Sequence, residues 1–342
     1  MNIKNDKNIV NNQCLEPLKS NKTNFFKRIF AIREIGVFIG LVVLFIIFSL
    51  SSPFFFTLDN LLNILRQVSI LGILSIGMTM VIVSGEFDLS VGATYGMSAM
   101  VAGMLMTHGF PILVSILIAL IAGMLVGLVN GVVVTYLRVP SLIVTLGMLN
   151  IARGLALIFT GGFVIALNAE KVNDPFFSTL SFLAKGKVFG IIPNMSFFFI
   201  AVAIVGYLIY SKTILGFRMR AVGGNPNAAM VSGVNVAFIK IMAFVIVGFL
   251  AAFGGIINLA FLQNVQGTMG TGLELDVIAA TIIGGTSLKG GEGTISGTII
   301  GVLIMGVLRN GLVLLGVTPF LQMVMIGVVI ITAVAIDMWT RK

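Results

Sequence analysis

Five carboxylates and two arginines in this chain could do chemistry that its apolar surroundings make costly. Glu86 and Asp88 lie in Ser84-Gly-Glu-Phe-Asp-Leu-Ser-Val-Gly92. Glu274 and Asp276 lie in Thr271-Gly-Leu-Glu-Leu-Asp276, and Glu292 follows Gly290-Gly291. Acids grouped this way could hold a proton or a cation. Each group also sits at or just before the start of an apolar run, where the free amides and dipole of a helix favour a carboxylate. Both roles fit. No acid stands in the middle of an apolar run, where an ion-driven carrier usually keeps one, and this counts against ion coupling. Arg153 and Arg309 do interrupt apolar runs. A guanidinium there either lines a polar pathway or reaches the interface or a helix-end carbonyl. Asn130, Asn150, Asn258 and Asn310 offer a similar choice, lining a pathway or joining helices by hydrogen bonds.

Other chemistry fails on residue type or spacing. The loop Gly284-Gly-Thr-Ser-Leu-Lys-Gly-Gly-Glu-Gly293 invites a phosphate-binding reading, but the chain contains no G-x-x-x-x-G-K-[ST]. There is no metal-ligand cluster, no Ser/His/Asp set and no H-E-x-x-H. The single His108 precedes a Gly-Phe-Pro turn and reads as an interfacial loop residue. One cysteine, Cys14, makes neither an internal disulfide nor a zinc site. The chain is therefore not expected to be an enzyme, and no cofactor of its own is expected.

The elements that must position these residues are membrane helices. Of 342 residues, 58% are apolar and 10% charged, against about half and about a quarter in a soluble domain. That excludes an ordinary cytosolic enzyme, a disordered protein and a nucleic-acid-binding domain. A span needs about 20 apolar residues. The charge-poor runs predict an all-α polytopic protein of ten spans, at 34–51, 61–84, 89–107, 111–135, 141–160, 192–211, 237–262, 275–288, 293–315 and 319–338. Residues 1–33 form a basic tail rich in Asn, Lys and Ser, and residues 34–342 form the transmembrane domain. With both termini cytosolic, most of the 21 Lys and Arg fall inside, as the positive-inside rule requires. The net charge of +9 then reflects topology rather than an anionic ligand.

Two further patterns concern packing. Asn130-Gly131 precedes Pro140 and Gly147 much as Asn310-Gly311 precedes Pro319 and Gly327. The two copies would enter from opposite sides, which describes an inverted repeat; chance is the other reading of so common a residue set. Gly123, Gly127 and Gly131 share one helix face, as do Gly297 and Gly301, and small residues let membrane helices approach closely.

The cytosolic loop 212–236 carries the most information. Asn225 is a good N-cap, Pro226 suits the first helical position and Gly233 can end the helix. Such a helix is marginal in water by itself, and its Ala228, Ala229, Met230 and Val231 call for a partner. Another protein, the membrane surface or the chain's own spans would each serve.

At this loop, Gly223-Gly-Asn-Pro-Asn-Ala-Ala-Met-Val-Ser-Gly-Val-Asn235 resembles the coupling loop of ribose-type permeases of bacterial ATP-binding-cassette importers. The resemblance continues at Phe54–Leu65, Gly77–Gly92, Arg138–Gly147, Gly270–Ala280, Gly284–Gly291 and Asn310–Gly316, covering nearly everything beyond the tail. Glu86 departs from it, standing where a small residue is usual. The resemblance implies a permease fold in the bacterial plasma membrane. It implies separate ATPase subunits carrying ATP and magnesium, an extracytoplasmic sugar-binding protein, and a second permease copy, in most cases a homodimer. A ribose-like monosaccharide is the expected cargo. Gly223, Gly224, Asn225, Pro226, Ala229, Ser232 and Gly233 would shape the coupling helix, and Arg218 and Arg220 would meet lipid phosphates or the ATPase. Glu86, Asp88, Asn130 and Asn310 are the candidate pathway residues. An importer for branched-chain amino acids or nucleosides, and an ion-coupled sugar carrier, are the competing expectations.

Overall fold

The computed structural model describes residues 33–170 and 172–340. The basic tail and Cys14 lie outside them. The main helices are α1 (Arg33–Ser51), α2 (Leu58–Val83), α3 (Val91–Thr107), α4 (Ile112–Tyr136), α5 (Ser141–Thr160), α6 (Phe176–Lys185), α7 (Asn194–Lys212), α8 (Ile214–Gly224), α9 (Pro226–Val231), α10 (Val236–Leu262), α11 (Leu273–Ile283), α12 (Ile295–Leu314) and α13 (Pro319–Thr340). Strand is confined to two short antiparallel pairs among the described residues. In these, β1 (Ile165–Ala166) meets β4 (Asn264–Val265), and β2 (Lys187–Val188) meets β3 (Ile192–Pro193).

Seven helices, α1, α2, α4, α5, α7, α10 and α12, are long and apolar enough to cross a membrane; α3 and the stretch Pro319–Thr332 of α13 are shorter apolar segments. The expected eighth span at 275–288 is helical only to Ile283, and residues 284–294 form a loop. The outer segment expected at 161–191 contains α6 and the strands β1 and β2.

Side-chain caps fix several helix starts, because the first amides of a helix lack internal acceptors. Thr57 accepts from Asn60 N, Asn235 from Phe238 N and Thr294 from Gly297 N.

The connections alternate between two ends of the bundle. At one end Gly291 N donates to Val83 O at 2.8 Å, Tyr210 Oη donates to Gly293 O at 2.7 Å and Thr294 Oγ1 to Glu34 Oε1 at 3.0 Å. At the other, Leu167 N donates to Gln263 O at 2.8 Å, Gln263 Nε2 to Ser181 Oγ at 2.8 Å and Ile112 N to Asp174 Oδ2 at 2.9 Å.

The packing has the symmetry that a repeat of α2–α5 and α10–α13 would give. α2 packs on α12 as α10 packs on α4; α11 packs on α2, α12 and α13 as α3 packs on α10, α4 and α5. Exchanging α2–α5 for α10–α13 therefore carries each of these contacts onto another. Glycine makes the closest seams. The side-chain positions of Gly123 and Gly127 are filled by the carbonyl oxygens of Gly248 and Phe244 across α10, and that of Gly131 by the Ile241 backbone. Gly297 and Gly301 meet the carbonyls of Gly284 and Ala280 in the same way.

Candidate functional site

At the first end, α8 leads into α9 through Asn225. Its Oδ1 accepts from Ala228 N at 3.0 Å, Pro226 occupies the first turn, and Gly233, at φ +81°, ends the turn that follows. Ala229 is buried while Met230 and Val231 face outward, Val231 being 89% exposed. Of the expected coupling residues, Asn225 and Pro226 lie at the surface with Ser232 and Gly233, whereas Gly223 is buried. A side chain on Gly223 would collide with Val83 O and Gly291 N, and Gly224 lies against Gly291 Cα. Arg218 is exposed, and the Arg220 guanidinium sits 5.1 Å from the Tyr210 ring centroid, a cation–π arrangement. Arg218 and Arg220 thus differ, one free at the surface and one held against α7.

The acids divide into three settings. Glu86 Oε1 accepts from Lys240 Nζ at 2.5 Å, tying the 84–90 segment to the start of α10. A cavity of about 730 Å³ borders this pair, lined also by Arg138, Pro226 and Met230. Asp88 is buried and its Oδ1 accepts from Ser90 N at 2.8 Å and from Ser90 Oγ at 2.6 Å; Asn130 Nδ2 then donates to Ser90 Oγ at 2.9 Å. Asn130 lies several residues inside the end of α4, so α3 starts within the bundle. The segment before α11 meets it there: Gly92 faces Gly270 O and the Glu274 carboxylate, and Gly96 faces Met269 O. Glu274 Oε1 accepts from Gly272 N at 3.2 Å. Two short helices thus begin side by side in the interior, α11 with Glu274 and Asp276 in its first turn and α3 with Asp88 just ahead of its N-cap Ser90, placements that helix dipoles favour.

Asp276 is different. Its Oδ2 accepts from Arg309 Nη2 at 2.6 Å. This pairing gives Arg309 a partner that its own stretch of sequence did not reveal. Arg153 Nε and Nη2 are buried without a hydrogen-bond partner among the described residues. Asn310 exchanges two hydrogen bonds with Asn60, at 3.0 and 2.9 Å, linking α12 to α2. The four expected pathway residues are therefore not gathered at one place. Asp88 and Asn130 share Ser90, Glu86 pairs with Lys240, and Asn310 holds Asn60.

A cavity of about 440 Å³ opens where α2, α10, α11 and α12 meet, with Asn63, Arg66, Gln67, Asn258, Asp276 and Arg309 set in an otherwise largely apolar wall. The sequence leaves Asn258 open between lining a pathway and joining helices, outside the four candidate pathway residues; Asn63, Arg66 and Gln67 were missed. Their i, i+3, i+4 spacing on an otherwise apolar helix was the available signal.

A family model described as the branched-chain amino acid transport system / permease component matches residues 60–334. The chain belongs to this permease family. It is 41% identical over 299 residues to the ribose import permease protein RbsC of Escherichia coli K12, covering 87% of this chain and 92% of that one. It is 41% identical over 306 residues to RbsC of Bacillus subtilis 168, covering 89% and 92%. It is 36% identical over 311 residues to the L-arabinose ABC transporter permease protein AraH of Azospirillum brasilense, covering 91% and 89%. No solved structure matches the chain. The permease is a transport component of an ATP-binding-cassette importer, and its apolar helices are those of a membrane protein.

Proposed function

We propose that this permease carries a neutral monosaccharide, a ribose-like pentose in particular, across the bacterial plasma membrane. An extracytoplasmic binding protein delivers the sugar, and separate ATPase subunits drive the transfer. The single observation that supports this most strongly is the 41% identity to ribose import permeases over nearly the whole chain. Relatives named for L-arabinose and for galactose or methyl galactoside import favour sugar as the class.

In this reading the end bearing α8 and α9 faces the cytosol, both termini lie there, and two copies of the permease form the pathway. Met230 and Val231 on α9 dock on the ATPase, while Asn225, Pro226 and Gly233 set the helix boundaries and buried Ala229 anchors it. ATP-driven closure of the ATPase pair then moves α9. Asp88 and Asn130, joined through Ser90, hold the inner start of α3 in place beside the pathway. Glu86 and Lys240 tie the cytosolic end between these elements.

The test is uptake of labelled ribose, arabinose and galactose into proteoliposomes. They hold the permease with its ATPase subunits, with binding protein outside and ATP inside. Accumulation that needs both ATP and binding protein is expected. Uptake that follows an ion gradient without ATP would overturn the mechanism. The family model's description favours a branched-chain amino acid as the second reading, and labelled leucine in the same vesicles tests it.

A further inference from the structure

Residues left out of the coupling loop and acid pairs converge on the cavity among α2, α10, α11 and α12. Asn63, Arg66 and Gln67 come from one face of α2, Asn258 and Phe261 from α10, Asp276 from α11 and Arg309 from α12. No hydrogen bond within the described residues engages the side-chain amides of Asn63, Gln67 or Asn258. Each such amide offers donors and acceptors side by side, as do the vicinal hydroxyls of a polyol. Asn63 and Asn258 are half-buried and Gln67 is exposed, so in a membrane bundle these groups look to water or a ligand in the space they line.

The charges of this cavity are compensated in part. Arg309 and Asp276 compensate each other at 2.6 Å. The Arg309 side chain is still 47% exposed, so its remaining N–H groups can donate to a ligand. The Arg66 guanidinium lies 5.5 Å from the Phe261 ring centroid, an aromatic face that orients it while its positive charge stays in the cavity wall. The cavity, at about 440 Å³, falls in the range of small-molecule sites, about 300–1,000 Å³. It does not end there. A second space of about 490 Å³ shares Tyr95, Asn258, Asp276 and Arg309 with the first and extends along the 270–272 backbone to α13. The Asp276–Arg309 pair therefore stands at the junction of two chambers, as polar groups in largely apolar walls.

We propose that this junction is a monosaccharide-binding station within one permease copy, with Asn63, Gln67 and Asn258 hydrogen-bonding sugar hydroxyls and Arg309, held by Asp276, donating from the floor. The proposal rests on the sugar-importer reading and adds to it a place in the permease where the sugar rests.

Cysteine protection tests it. In a Cys14→Ser background, Gln67→Cys and Asn258→Cys are placed in the full chain, assembled with its ATPase subunits in nanodiscs without binding protein. The rate of modification by a small neutral methanethiosulfonate is measured with and without ribose. Ribose is expected to slow both reactions and to leave a Val231→Cys control unchanged. Equal rates with and without sugar would overturn the station. So would stronger protection by ribose 5-phosphate, which would make the cavity an anion site.

Transport separates this from the parent reading. Gln67→Leu and Asn258→Leu should lower ATP-driven uptake about tenfold, since a site built to hydrogen-bond hydroxyls is left unpaired without its partner. Binding-protein-stimulated ATP hydrolysis should persist in both, which also reports that they fold. If the original complex takes up sugar and these variants match it, the station falls and the importer stands. If the original complex takes up no sugar, the importer reading falls, and cysteine protection alone decides the station.

Discussion

The side of Gly223 on which any other residue would carry its side chain is filled by the carbonyl oxygen of Val83. That oxygen accepts the Gly291 amide at 2.8 Å, so the end of α2, the end of α8 and the loop before α12 meet through backbone alone. Gly223→Ala should therefore cost about 1–3 kcal/mol, as overpacked sites do. Thermal unfolding in detergent would measure it. Gly40→Ala in α1, where nothing lies within 4 Å of the added carbon, is the control and should melt with the parent protein or slightly above it, since alanine favours a helix interior over glycine.

Val231 and Ala229 are close on α9 and should respond in different ways. Val231 is almost fully exposed and Ala229 buried. Val231→Glu should leave the fold intact and lower coupled sugar uptake about tenfold, equivalent to about 1.4 kcal/mol of lost docking. Ala229→Glu should also loosen the loop, because it forces a carboxylate into a packed site. Uptake together with proteolysis of the 212–236 segment separates the two. Normal uptake by Val231→Glu would remove α9 from the coupling surface.

The Glu86–Lys240 pair is only partly exposed, so removing one member strands the other. Lys240→Met should destabilise by about 1–3 kcal/mol, the scale of a hydrogen bond to a charged group. Adding Glu86→Gln should restore part of that. A double-mutant cycle on unfolding free energy measures the coupling, and additive losses would show that the contact contributes nothing.

Asp174 anchors the segment before α6. The Ile112 amide, at 2.9 Å, and then the Phe176 amide, at 2.8 Å, stabilise its carboxylate and hold its pKa below the ordinary 3.8. A depressed folded-state value means the contribution is complete above 3.8 and is lost as pH falls through the lower folded value. Hydrogen exchange at residues 172–185 should therefore accelerate on acidification in that window. In Asp174→Asn it should be faster at neutral pH and respond less to acid.

Much of the bundle was legible because lipid-facing helices must be apolar and their caps are chemically distinctive. Asn225, Pro226 and Gly233 specified α9 through local rules alone. The shortfall at residues 284–288 has a physical cause: hydropathy reports burial, and a buried glycine-rich loop scores like a helix. Gly285, Gly290 and Gly291 all take positive φ, which glycine tolerates and a helix does not use. The α6 helix was missed inside an outer loop, although Pro175 and the apolar Phe176, Phe177, Leu180 and Ala184 marked it. Arg309 stayed undecided for a different reason. Its partner Asp276 lies 33 positions away, and the choice between pathway and ion pair depends on a tertiary contact that no local pattern records. The same holds for the cavity beside Asp276 and Arg309, whose walls come from six helices.

The glycine seam between α4 and α10 has a mechanical consequence. With Gly123, Gly127 and Gly248 in direct backbone contact, no side chains at these points can swing aside to let the two helices slide. They behave as a single strut. At its far extreme in the packing, α1 is almost unburied and can ride with the surrounding lipid. Any rocking that opens the permease first to one side and then to the other must therefore pivot about the α4–α10 strut, with the displacement taken up by the elements hung on it.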